Sequence, residues 1–173
     1  MSLFSRIFSP LPDPKPAQRP TPARPAAPAS SGPGLAAWFT EDHGACDRLW
    51  AAVEGADDDA DAFDAFRRFD AAMRRHLGWE EDTLFPAFEV ATGHVGFGPT
   101  YIMRSEHEQM RAVLDQMAGC VTAGDRQGVL DQGDTLMMLV QQHNAKEEGM
   151  LYPMAEQALG DAGWAEFAPR FSR

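Results

Sequence analysis

From Gly34 to about Gly160, apolar residues recur three and four positions apart, and no alternating stretch is long enough for a strand. Turn residues divide this helical pattern into four segments. The first spans about Leu35 to Glu54 and stops at Gly55. An acidic turn, Asp57-Asp58-Asp59, suits the start of a second helix over about Ala60 to Phe88. A Gly-rich loop, Thr92 to Pro99, leads to a third helix over about Thr100 to Ala123, ended by Gly124. Asp125 caps a fourth, which runs to about Leu159. The expected fold is therefore all-α, a four-helix bundle over residues 34–160, followed by a short C-terminal extension, 161–173.

The buried seams carry the chemistry. They are Ala36, Phe39, His43, Cys46, Trp50, Val53; Ala62, Phe66, Phe69, Met73, His76, Glu80; Met103, His107, Met110, Leu114, Met117, Val121; and Leu136, Val140, His143, Glu147, Met150, Met154. Every seam contains one histidine. A single histidine on an apolar face is more often a satisfied core residue than a ligand, but four in four seams favour a shared site. Two seams also hold a carboxylate at His+4, Glu80 and Glu147, on the same face about one turn away. An ionised glutamate in an apolar seam costs several kcal/mol unless paired, and neither seam supplies Lys or Arg. A bound cation removes that cost; the alternative, helices rotated to expose the acids, would also expose Phe69, Met73, Val140 and Met150.

Helix rise sets the heights. His107 lies 17 residues before Gly124 and His143 lies 18 after Asp125, so both sit about 25 Å from one turn. For His43 and His76 the mismatch is about 6 Å, which a loop absorbs. The four imidazoles are expected in one layer. The halves also repeat: His76-Leu-Gly-Trp-Glu-Glu-Asp-Thr-Leu-Phe-Pro and His143-Asn-Ala-Lys-Glu-Glu-Gly-Met-Leu-Tyr-Pro share His, Glu, Glu, Leu and Pro at equal offsets. Asp42-His43 and Glu106-His107 precede them, which suggests two helical hairpins about a pseudo-two-fold axis.

These residues resemble the hemerythrin-like, or HHE cation-binding, domain family over about residues 35–159. The resemblance implies an up-down-up-down, hemerythrin-like four-helix bundle around a non-haem di-iron centre, with His43, His76, His107 and His143 as terminal ligands and Glu80 and Glu147 as bridges. Imidazole with carboxylate suits iron or manganese and does not exclude zinc. The oxygen carriers of the family have a further histidine one turn after the third-helix ligand, where this chain has Arg111. With an oxo or hydroxo bridge each iron would have five ligands and an open place. That pattern looks more like the family's proteins of nitric oxide chemistry, iron–sulfur repair or iron sensing, although the Cys-bearing N-terminal domain of the repair proteins is replaced by a Pro-rich tail. The expected function is binding of O2 or NO for sensing, storage or stress protection. A di-iron oxidase, peroxidase or ferroxidase, an iron donor for iron–sulfur cluster repair, and a structural zinc bundle are the alternatives.

Neighbouring residues fill out the expectation. Glu81 and Glu148, at His+5, are expected to be solvated or to support ligands rather than bridge, and Asp42 and Glu106 either orient ligands or face water. Asp47 and Arg111, each at His+4, are expected to pair at the mouth of the site. His94 has no partner spacing. Cys46 reads as a small core residue, with a redox role as the alternative. Phe39, Ala72, Met103 and Leu139, each four residues before a histidine, are expected to line an apolar pocket over the metals, with Trp79 and Tyr152 as further contributors. A dry pocket favours a small neutral gas.

Charge and composition then limit partners. Fifteen Lys and Arg against 26 Asp and Glu give −11 over 173 residues, which argues against nucleic acid and repels anionic substrates. Residues 1–33 hold nine of the 13 prolines, with Arg6, Lys15, Arg19 and Arg24 against Asp13. That segment is +3 and the remainder −14, and its prolines suit an extended, disordered tail. Its start, MSLFSRIF, is too short for a signal peptide or a membrane span. It is either a disordered start or a weak docking element for a membrane surface or protein partner. Cys46 and Cys120 form no CxxC pair, which fits a reducing, cytoplasmic setting. Beyond Gly160, Trp164, Phe167 and Phe171 either pack back on the bundle or meet a partner.

Overall fold

The structure is a computed structural model that describes residues 33–171. The tail expected over 1–33, with its docking start, therefore lies outside the described residues except for Pro33. Four rods form the bundle, and no strand occurs among the described residues. The first is α1 (Leu35–Glu54). The second begins as α2 (Asp59–Trp79), passes through a π-helical turn at Glu80–Leu84 and continues as α3 (Phe85–Thr92). The third is α4 (Pro99–Ala123). The fourth repeats the second: α5 (Arg126–Lys146), a π turn at Glu147–Leu151, then α6 (Tyr152–Phe167) and a 3₁₀ turn at Ala168–Arg170.

Local chemistry fixes the rod ends. Asp58 accepts from the Asp61 N–H and Asp125 from the Gly128 N–H, each relieving an orphan donor at a helix start. Gly93 and Gly124 take left-handed φ of 76° and 72° after α3 and α4, a conformation glycine adopts without a Cβ clash. Connections this short force sequence neighbours to run antiparallel.

The seams pack as expected except past the second motif. Met150 and Met154 are exposed, whereas Leu151, Tyr152 and Ala155 are buried. The π turn is the cause. Its wider turn moves the inward face on by one position, so positions that an α-helix would point inward turn to solvent. The fourth rod also does not end at Gly160. That glycine, at φ 63° and ψ 177°, breaks the helix, and the chain resumes a helical path to Phe167. Trp164 and Phe171 fold back as stacked rings 5.7 Å apart, and the Trp164 indole donates to the Pro33 carbonyl.

Two apolar layers result. One joins Cys46, Trp50, Phe66, Phe69, Leu114 and Leu136; the other joins Leu35, Phe39, Phe85, Phe88, Met103 and Trp164. The histidine layer lies between them. Among the described residues, no helix is long and apolar enough to cross a membrane.

Candidate metal centre

Eleven side chains meet between the apolar layers. Helix α1 supplies Asp42 and His43, α2 supplies His76, and the first π turn Glu80 and Glu81. Helix α4 supplies Glu106 and His107, α5 His143, the second π turn Glu147 and Glu148, and α6 Tyr152. All six residues singled out by spacing are buried here: His43, His76, Glu80, His107, His143 and Glu147. The histidines pair across antiparallel helices, with Nε2–Nε2 distances of 3.1 Å for His43–His76 and 3.1 Å for His107–His143.

Each imidazole is oriented from behind by a carboxylate. The Nδ1 atoms of His43, His76, His107 and His143 lie 2.7, 2.9, 2.8 and 2.9 Å from Glu148, Asp42, Glu81 and Glu106 respectively. An ionised carboxylate only accepts, so Nδ1 donates and the neutral ring turns the Nε2 lone pair inward. Glu80 Oε2 faces His107 Nε2 at 3.3 Å and His76 Nε2 at 3.6 Å. Glu147 spans the halves in the same way, Oε1 at 3.0 Å from His143 and Oε2 at 3.4 Å from His43. While the rings are neutral, Glu80 Oε2 and Glu147 Oε1 are buried without a hydrogen-bond donor. Lone pairs thus converge on lone pairs, an arrangement that a cation relieves. The ligand atoms form two groups, Glu80 with His107, His143 and Glu147, and His43 with His76 and Glu147, each within 4.8 Å.

Proton affinities follow the same crowding. Burial pulls His143 down, but the hydrogen bond and charge of Glu147, with Glu80 and Glu106, prevail and push it up to about 9. His43 is raised too, burial being outweighed by Glu147 and Glu148. Burial opposes the ionisation of Glu147, yet His143 and His43 hold it well below the usual carboxylate range. Glu81 and Glu106 are lowered against burial by Arg111 and His107, and by Lys146 and His143. In the metal-free protein, protons partly occupy the place of the missing positive charge.

The family model described as hemerythrin HHE cation binding domain matches residues 35–155. The chain belongs to this family. Comparison with curated proteins and with solved structures gives no match. A hemerythrin HHE domain implies binding of a cation, typically iron, and the buried His/Glu cluster is compatible with it.

Two sequence expectations about this hemerythrin-family site need correction. Arg111 does not pair with Asp47; its Nη1 and Nη2 donate to Glu81 Oε1 and Oε2 at 2.8 and 2.9 Å. Helices α1 and α4 lie diagonally across the bundle, whereas the first π turn brings Glu81 next to α4. Phe39, Ala72, Met103 and Leu139 do not line one pocket. Consecutive rods are antiparallel, so four residues before the histidine is one side of the site on α1 and α4 and the other on α2 and α5. Of the two places expected for Glu81 and Glu148, the structure shows the supporting one, since each holds a histidine. Cys46 is a buried core residue and His94 is exposed.

Sequence reasoning missed the central place of Tyr152. Its hydroxyl lies 2.6 Å from Glu80, 2.8 Å from Glu147 and 3.0 Å from His43 Nε2. Nine α-helical steps of about 100° put it half a turn away from His143, and only the π turn brings it inward. The repeated motif carried a signal at this place: the aromatic position that is Phe85 in one copy is Tyr in the other.

Proposed function

We propose that the cluster holds two iron ions, with His43 and His76 on one, His107 and His143 on the other, and Glu80 and Glu147 bridging both. The observation that carries this reading is the pair of buried carboxylate oxygens without donors, each glutamate set between imidazoles of both halves. Such a pair of cations supplies redox chemistry and a coordination place for a small neutral diatomic, O2 or NO, in sensing, storage or stress protection. The carboxylates on Nδ1 fix ring orientation and raise the basicity of the ligating nitrogens. Manganese or zinc would satisfy the same donor atoms, and the spectrum with O2 and NO separates them from iron.

The surroundings favour a small ligand. A cavity of about 10 Å³, lined by Cys46, Met73, Leu77, Met110 and Val140 beside His43, His76 and His143, has room for about one water-sized molecule. A second reading, iron oxidation with turnover, is favoured by one feature: a groove of about 610 Å³ leading to His43 carries Asp47, Glu54 and Glu148, which attract a cation. Catalytic consumption of ferrous iron or peroxide separates this from stoichiometric gas binding. Protein purified without oxygen and supplied with ferrous iron is expected to hold about two irons per chain. Glu80→Ala combined with Glu147→Ala is expected to lower this well below one; an unchanged content rejects the reading.

A further inference from the structure

The aromatic residue that opens the helix after each π turn is Phe85 in one half and Tyr152 in the other, both completely buried. Phe85 stacks on His107 with centroids 5.5 Å apart and planes 26° from parallel. Tyr152, related to it by the repeat, brings an oxygen into the site. That oxygen has one proton and three neighbours: Glu80 Oε1 at 2.6 Å, Glu147 Oε2 at 2.8 Å and His43 Nε2 at 3.0 Å. A single O–H can serve only one of the two carboxylates, so at least one of these short oxygen–oxygen contacts lacks a proton between its atoms.

The spacing has a simple explanation. Ligands about 2.1 Å from one metal and at right angles to each other are about 3.0 Å apart. His43 Nε2–His76 Nε2 is 3.1 Å, Tyr152 oxygen–His43 Nε2 3.0 Å, Tyr152 oxygen–Glu147 Oε2 2.8 Å and His43 Nε2–Glu147 Oε2 3.4 Å. We propose that the Tyr152 oxygen is a ligand of the metal held by His43 and His76. The inference rests on the iron site proposed above.

The phenol O–H bond breaks, its electron pair goes to the metal, and the proton leaves to solvent. A bound cation would favour the deprotonated oxygen over the phenol.

The test is spectroscopic and needs no turnover. Wild-type protein, loaded with ferrous iron without oxygen and oxidised with ferricyanide, is expected to show a visible phenolate-to-ferric charge-transfer band and phenolate modes in resonance Raman. The chain has two tyrosines, and the other, Tyr101, is 66% exposed, so the signature is assignable. Tyr152→Phe is expected to abolish the band while keeping about two irons per chain and the helical circular dichroism. Phe85→Tyr, made with Tyr152 in place, is expected to increase the band about twofold by adding the symmetric oxygen. Two irons per chain without a phenolate band, or a band that survives in Tyr152→Phe, overturns the inference and leaves the iron site standing. Protein that takes up no iron overturns both.

Discussion

The two halves of the bundle are built on one motif and differ in how they treat charge. Each contributes two histidines, a π turn, a glutamate between the imidazoles and a carboxylate behind every ring. The acids behind His107 and His143 are themselves held by cations, Glu81 by Arg111 and Glu106 by Lys146. Behind His43 and His76 stand Glu148, with a side chain 39% exposed beside the groove, and Asp42, which is 1% exposed. Of the four imidazoles, His43 is the one 3.0 Å from the Tyr152 oxygen. A duplicated scaffold can therefore hold two positions of similar shape with different supporting groups.

The largest expected effect comes from the residue that joins the halves. Glu147 offers ligand atoms to both groups, so Glu147→Ala is expected to drop iron well below one per chain. Metal analysis after gel filtration measures this; retention of about one iron would mean that the halves load independently. Next come the supporting acids. Removing a carboxylate behind a ligating histidine typically costs about 10–100-fold in affinity. Asp42→Asn is expected to fall in that range and Glu148→Gln below it, because water replaces an exposed partner more readily. Equal losses in chelator competition would remove the distinction. Between the halves, a Cβ on Gly133 of α5 would overlap the Trp50 ring of α1. Gly133→Ala is expected to cost about 1–3 kcal/mol in denaturant unfolding, through overpacking; a neutral result would mean that Trp50 moves freely.

A pH effect is the smallest. The folded His143 value of about 9 lies above the ordinary histidine value of 6.5, so its contribution to metal-free stability is complete below about 6.5 and is lost as pH rises through about 9. His43 acts in the same direction. Glu147, lowered instead, contributes above its ordinary range and loses that only in acid, so it does not offset the change. Metal-free protein is expected to melt on the order of a few °C lower at pH 9 than at pH 6.5, while loaded protein keeps its melting temperature. Parallel declines of both forms would count against a cation taking the place of these protons.

Much of this was legible in the chain because it depends on spacing along regular helices. Four seam histidines, two glutamates at His+4 and the pairing of His107 with His143 all follow from counts of three and four, and the cap at Asp125 follows from the turn before the fourth helix. Position breaks down where the helix does. Met150 and Met154 were misplaced, and Tyr152 undervalued, because a π turn changes the face and leaves no strong mark in hydrophobic periodicity. Partner choice was the other gap. That Arg111 selects Glu81 over Asp47 depends on which rods are neighbours and which are diagonal, and the two acids look alike in sequence.

Mössbauer spectroscopy of protein loaded anaerobically with ⁵⁷Fe and then oxidised tests the central claim most directly. The expected result is two ferric sites in equal amounts, antiferromagnetically coupled through the bridging carboxylates and distinguishable from each other because one half holds Tyr152. A single uncoupled high-spin ferric species, or iron bound equally well after Glu80 and Glu147 are both replaced by Ala, would contradict it.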